Sequence, residues 1–176
     1  MRFLLVTGLS GAGKTTVNRY LEDMGAFCVD NLPVMLIPRF ADIAHDDKLE
    51  VDNVAIGVDI RSGDALGQLS LCLEDLKNRS YNYEILFLDA NEPTLVKRYK
   101  ETRRKHPLAK NGRINEGIAK ERAKIEFLKQ RADYIIDTSS LLTRELKGEI
   151  EKTIAAEGIT IHIDFNDLFL AVRYKP

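Results

Sequence analysis

Two cysteines, Cys28 and Cys72, are the only thiols in this chain of 176 residues. They lie far apart in apolar stretches, and there is no CxxC pair or Cys/His cluster. A zinc site is therefore not expected, and both thiols are expected to be reduced and buried. Proline is scarce, at 5 residues, beside 11 glycines. With 44% hydrophobic and 30% charged residues, that excludes collagen, a linker protein or a disordered chain. No apolar run approaches the ~18 residues that cross a bilayer. The stretch 1–9 has one Arg and a short apolar run but no signal-peptide core or cleavage site. Internal repeats, low-complexity linkers and a nucleophilic triad are also missing. What remains is one domain, long enough to bury a core without a disulfide or metal staple.

Net charge is nearly absent too. There are 26 basic and 27 acidic side chains, for a formal charge of -1. The total conceals a split. Residues 97–131 hold 13 Lys or Arg against four Glu, a local excess of +9, so the rest of the chain is acidic.

Short apolar runs at 3–7, 26–29, 53–60, 84–89 and 134–137, with a weaker one at 160–164, read as strands. Most are continuous rather than alternating, the pattern of strands covered on both faces. Between them lie helical stripes: Leu66, Leu69, Leu73 and Leu76; Ile114, Ile118, Ile125 and Leu128; Leu142, Leu146, Ile150 and Ile154. A further helix fits 14–24, closed by Gly25, and Pro33 can open another. Strands alternating with helices predict an α/β fold, a doubly wound, mainly parallel sheet with helices on both faces. The polar stretch 103–115, with Pro107 and Gly112, reads as a long functional loop.

Gly8-Leu9-Ser10-Gly11-Ala12-Gly13-Lys14-Thr15 matches G-x-x-x-x-G-K-[ST] at every fixed position. Glycines let the backbone bend so that successive N–H groups form an anion nest, and the following helix adds its positive end. Lys14 can then reach the β- and γ-phosphates, and the Thr15 hydroxyl can ligate Mg²⁺. Chance would produce such a match in roughly one chain of this length in 200. The motif also follows an apolar strand and precedes a helix, the arrangement that gives it meaning. A metal-orienting carboxylate is expected at a neighbouring strand end, and Asp30, Asp59 and Asp89 qualify. Asp59 is preferred because Arg61 follows it, placing a carboxylate and a phosphate-binding cation together.

The P-loop, Val29-Asp30-Asn31-Leu32-Pro33, Asp59-Ile60-Arg61-Ser62, Phe87-Leu88-Asp89-Ala90, Thr102-Arg103-Arg104-Lys105-His106-Pro107-Leu108, Glu121-Arg122 and Ile136-Asp137-Thr138-Ser139 appear in that order. Over about residues 1–150 the chain thereby resembles the RapZ/YvcJ family of bacterial P-loop proteins. The resemblance implies a P-loop NTPase fold of the kinase-like type, binding of ATP or GTP with Mg²⁺, and weak ATPase or GTPase activity. It assigns Asp59, Ile60, Arg61 and Ser62 to GTP binding. It also implies a role as an RNase adapter that binds small regulatory RNA, largely through a second domain. On this reading residues 1–158 form the nucleotide-binding domain. The tail 159–176 departs from the family pattern and stands in place of that second domain. RNA and an RNase are then partners through a domain outside this chain. The setting is cytoplasmic with no membrane partner, and a homo-oligomer is allowed.

The basic segment has three readings. As a lid, Arg98, Arg103, Arg104 and Lys105 would close over phosphates, with Arg103 stabilising charge on the transferred group. As a solvated face, its charges would pair at i,i+4. As an RNA surface, it would need stacking aromatics, and only Tyr99 and Phe127 are there. His106, alone in its loop, is expected at the surface. The expected catalytic set is Lys14, Asp59 and Arg103, with Thr15 and Asp59 on the metal. The rival expectation is a small-molecule or nucleotide kinase that uses the same loop and lid.

Overall fold

A computed structural model describes residues 1–48, 52–58, 65–109, 113–155, 159–162 and 171–174. Asp59, Ile60, Arg61 and Ser62 fall outside the described residues. Five strands, β1 (Arg2–Gly8), β2 (Phe27–Val29), β3 (Asn53–Gly57), β4 (Tyr83–Asp89) and β5 (Tyr134–Asp137), form one sheet in the order β2-β3-β1-β4-β5. Every pairing in it is parallel. β6 (Ile159–His162) and β7 (Ala171–Tyr174) pair antiparallel in a separate two-stranded ribbon.

The continuous apolar runs behave as their pattern requires. Leu4, Leu5 and Val6 of β1 and Ile85, Leu86, Phe87 and Leu88 of β4 are all buried. These two strands form the centre, while β2 and β5 are edges and expose Phe27 and Ile135. Truncating a central residue such as Leu86 to Ala costs about 2–5 kcal/mol, because the lost contacts leave a cavity.

Helices cover the sheet: α1 (Lys14–Asp23), α2 (Ile37–Ile43), α3 (Ala65–Asn78), α4 (Glu92–Thr102), α5 (Ile114–Arg131) and α6 (Thr143–Ala155). The predicted stripes bury Leu69, Leu73 and Leu76 on α3, Ile118, Ile125 and Leu128 on α5, and Leu146 and Ile150 on α6. Leu142 departs from its stripe. It precedes α6 and is exposed, its N–H capped by the Glu145 carboxylate at 2.8 Å. Pro33 opens a short 3₁₀ turn, Val34–Leu36, which leads into α2.

α4 has no counterpart among the helices expected from periodicity, because its apolar stripe is short. Its start is nevertheless specified. The Asn91 side chain accepts the Thr94 N–H at 2.9 Å, and a proline occupies the first turn. α4 and α5 pack together beyond β4, and α1 and α6 pack together. Every strand of the sheet runs parallel to its neighbours. The carboxyl ends of all five strands therefore share one edge, where an open parallel sheet binds its ligands.

Candidate nucleotide site

The loop between β1 and α1 is built around a close approach. Gly8 has φ +135, and a Cβ there would lie 2.1 Å from the Leu88 carbonyl oxygen of β4. Only glycine lets β1 leave the sheet at this point, and the Leu9 N–H bonds the same carbonyl at 3.1 Å. The loop then turns into α1, whose N-cap, Gly13, offers no side-chain cap. No acidic side chain occupies the helix's first turn. The N–H groups and positive end of α1 are thus available to an anion.

Lys14 folds back over the loop, with Nζ donating to the Gly8 carbonyl at 2.6 Å and the Leu9 carbonyl at 3.1 Å. This holds an ammonium group over the nest. Thr15 is exposed on the same wall. A cleft of about 420 Å³ opens above, lined by residues 10–16 together with Arg98, Arg104, Lys105 and Thr138. Leu141 and Leu146 give it an apolar side.

The basic residues divide sharply. Arg98 projects from α4 into the site's frame. Its guanidinium donates to the Gly11 carbonyl at 3.0 Å, the Thr138 carbonyl at 2.7 Å and the Thr138 hydroxyl at 3.0 Å. Burial lowers its pKa from the ordinary arginine value, while Glu101 and Asp137 act in the opposite direction. Arg122 and Lys129 of α5 both hold Asp89, at 2.9 and 2.7 Å. Burial alone would raise the Asp89 pKa, but the bonds from Lys129 and Arg122 outweigh it and hold the carboxyl below its usual range. Asp89 is therefore occupied as an anchor for α5. Arg104 and Lys105 are exposed on the cleft wall. Arg103 is exposed beside them, in a left-handed conformation just beyond α4, and is not among the residues lining the cleft.

Asp30 lies at the carboxyl end of β2, exposed, 3.2 Å from the Asn18 amide. Its neighbour Cys28 is half-buried, and burial, with Glu22 and Asp30 nearby, pushes its thiol up to about 12. His106 corrects its expected place: it is 2% exposed, packed against the Tyr99 ring and bonded to Glu121. Glu121 in turn holds Ser10 of the P-loop, a contact across 111 positions that no local pattern announces.

Parallel order, P-loop and cleft together define a kinase-like P-loop protein. The solved structures agree on the fold. A shikimate kinase from Acinetobacter baumannii, in complex with shikimate, has a TM-score of 0.59 at 20% identity, covering 90% of this chain and 95% of that one. A sugar kinase from Janibacter has a TM-score of 0.58 at 15% identity, covering 88% and 94%.

The family follows from sequence: residues 1–158 match the RapZ-like N-terminal domain, and the chain belongs to that family. A nucleotide-binding protein of Lachnoclostridium phytofermentans is 57% identical over 158 residues, 90% of this chain and 55% of the relative. One of Agathobacter rectalis is 50% identical over 172 residues, 98% of this chain and 57% of the relative. The chain thus spans somewhat more than half the length of these curated relatives. Its match to the family model ends at residue 158.

Proposed function

We propose that the domain binds ATP or GTP with Mg²⁺ and hydrolyses it slowly, as a regulatory rather than a metabolic device. The observation that carries this is the anion nest of β1 and α1 opening into a cleft walled by Arg98, Arg104 and Lys105. Gly8, Leu9, Ser10, Gly11, Ala12 and Gly13 would shape the phosphate cradle, with Lys14 on the β- and γ-phosphates. The apolar wall at Leu141 and Leu146 suits a nucleobase.

The donors fit a hard cation, because Thr15 offers an exposed hydroxyl oxygen on the cleft wall. Thr15 and Asp59 would hold Mg²⁺, which neutralises developing charge on the phosphates. Ile60, Arg61 and Ser62 are proposed for recognition of the nucleotide, as the family resemblance implies. Arg103 is proposed with Arg104 and Lys105 as the cations that meet the transferred group; Arg104 and Lys105 line the cleft and Arg103 does not.

Residues 1–158 are proposed as the nucleotide domain, with 159–176 outside it. Within a longer, cytoplasmic protein, the domain would inform a further domain that handles small RNA and an RNase. Among the described residues no helix is long and apolar enough to cross a membrane.

The test is phosphate release from ATP and from GTP with Mg²⁺. Slow turnover is expected in the wild type, with Lys14→Ala lowering phosphate release at sub-saturating nucleotide about 30-fold or more, as loss of charge-assisted bonds predicts. Unchanged turnover in Lys14→Ala defeats the assignment.

A second reading, small-molecule kinase, is favoured by one placement. Asp30 stands exposed at the carboxyl edge of β2, where a carboxylate can orient an acceptor hydroxyl. Labelled-phosphate transfer to an acceptor far faster than hydrolysis would establish that reading.

A further inference from the structure

Glu121 is 5% exposed on α5, and among the described residues all three of its hydrogen-bond donors come from two segments that border the cleft. The Ser10 N–H donates to Oε2 at 3.0 Å and the Ser10 hydroxyl to Oε1 at 2.6 Å. His106 Nε2 lies 3.1 Å from the same Oε2. The tautomer follows from the other ring nitrogen: Nδ1 accepts the Leu108 N–H at 3.1 Å, so Nε2 carries the proton and donates. Among the described residues no Lys or Arg pairs with this carboxylate. A buried carboxylate is costly unless its hydrogen bonds are satisfied, so its position is dictated by Ser10 and His106 together.

His106 itself has no slack. The Tyr99 ring lies 5.0 Å from it, and α5 passes so close that a Cβ on Gly117 would sit 2.5 Å from Nδ1. A buried histidine thus pins the segment in which Lys105 and Pro107, on either side of it, line the cleft.

We propose that Glu121 is a positioning residue that couples occupancy of the phosphate loop to the seat of the basic segment 103–109. The inference rests on the nucleotide reading above and adds its transmission. One oxygen is shared by a P-loop amide and the histidine of the basic segment, so a displacement of either is felt by the other. A nucleotide that settles on the loop fixes Ser10, and through Glu121 fixes His106. Arg104 and Lys105 are then held inward over the phosphates. Linkage makes the effect reciprocal: a loosened 103–109 segment weakens nucleotide binding.

The test combines calorimetric titration with Mg²⁺-ATP and Mg²⁺-GTP and trypsin cleavage after Arg104 and Lys105, read by mass spectrometry. In the wild type, bound nucleotide is expected to slow this cleavage at least about fivefold, the lower end of usual coupling. Glu121→Gln is expected to reduce that protection below twofold while nucleotide still binds. Protection equal to wild type in Glu121→Gln overturns the proposal. So does wild-type binding with no change in cleavage, which leaves the nucleotide reading standing. No binding by the wild type overturns both.

If Glu121→Gln does not fold, a double-mutant cycle on nucleotide affinity decides. Among the described residues Ser10 and His106 share no hydrogen bond with each other and meet through Glu121, yet Ser10→Ala and His106→Ala are expected to deviate from additivity by about fivefold. His106→Gln, which keeps a donor near Nε2, is expected to restore wild-type protection. Additive effects, or failure of this rescue, overturn the proposal.

Discussion

Two groups of cations in the 97–131 segment carry the same charge and do different work. Arg98, Arg122 and Lys129 are part-buried and tied down, the first to backbone carbonyls of the P-loop and β5 edge, the others to Asp89. Arg103, Arg104 and Lys105 are exposed, without an ion pair among the described residues. The first group builds the frame around the cleft, and the second is available to a ligand. A local excess of +9 is therefore not one basic surface. Some of its charge is neutralised inside the fold, and some, as in Lys97–Glu101 and Arg113–Glu116, in solvated pairs worth little. That division weakens the RNA reading and favours a phosphate in the cleft.

Asp89→Asn is the strongest way to test the anchored group. It should cost about 2–3 kcal/mol, lowering Tm by roughly 5–10 °C; the loss is below that of a fully buried pair because Arg122 and Lys129 stay about a third exposed. The acid limb carries a signature. The Asp89 carboxyl is held below its usual range, so its contribution is complete above the unfolded value near pH ~4 and fades as pH falls through the lower folded value. Melting curves should show a wild-type loss below about pH 4 that the Asn variant lacks.

Arg98→Ala comes next. Losing three hydrogen bonds should cost about 1–2 kcal/mol of stability in a denaturant titration and weaken nucleotide binding in the same variant. An effect on only one of the two readouts would break the claim that Arg98 serves frame and cleft together.

Arg104→Ala combined with Lys105→Ala should do the opposite. Stability should move by less than about 0.5 kcal/mol, while nucleotide affinity at low salt falls about tenfold and the deficit shrinks as salt rises. Arg103→Ala, exposed and off the cleft wall, should change affinity least, by about twofold, and a larger drop in turnover than in affinity would restore it to the transition-state role.

Much of this architecture was legible before the chain was folded. Continuous apolar runs marked all five strands of the parallel sheet, because strands covered on both faces need no polar alternation. The spacing of Gly8, Gly13, Lys14 and Thr15 marked the glycine-rich turn between β1 and α1, because that geometry is local and depends on glycine. α4 was not visible, since the burial of Leu95 and Tyr99 depends on contacts supplied by other elements. His106 read as a surface residue because a lone histidine in a polar loop gives no sign of Gly117 or Glu121 against it.

Locally encoded features, then, were determined by sequence alone: strand and helix periods, the P-loop and its order among the family's motifs. Which arginine faces the cleft and which props up the wall was decided only by the tertiary structure. Charge is a property of the residue, but its partner is set by packing across the fold. Asp89 lies 40 positions from Lys129, and Ser10 lies 111 from Glu121. No spacing rule reaches across such distances, whereas a buried carboxylate that must be satisfied does.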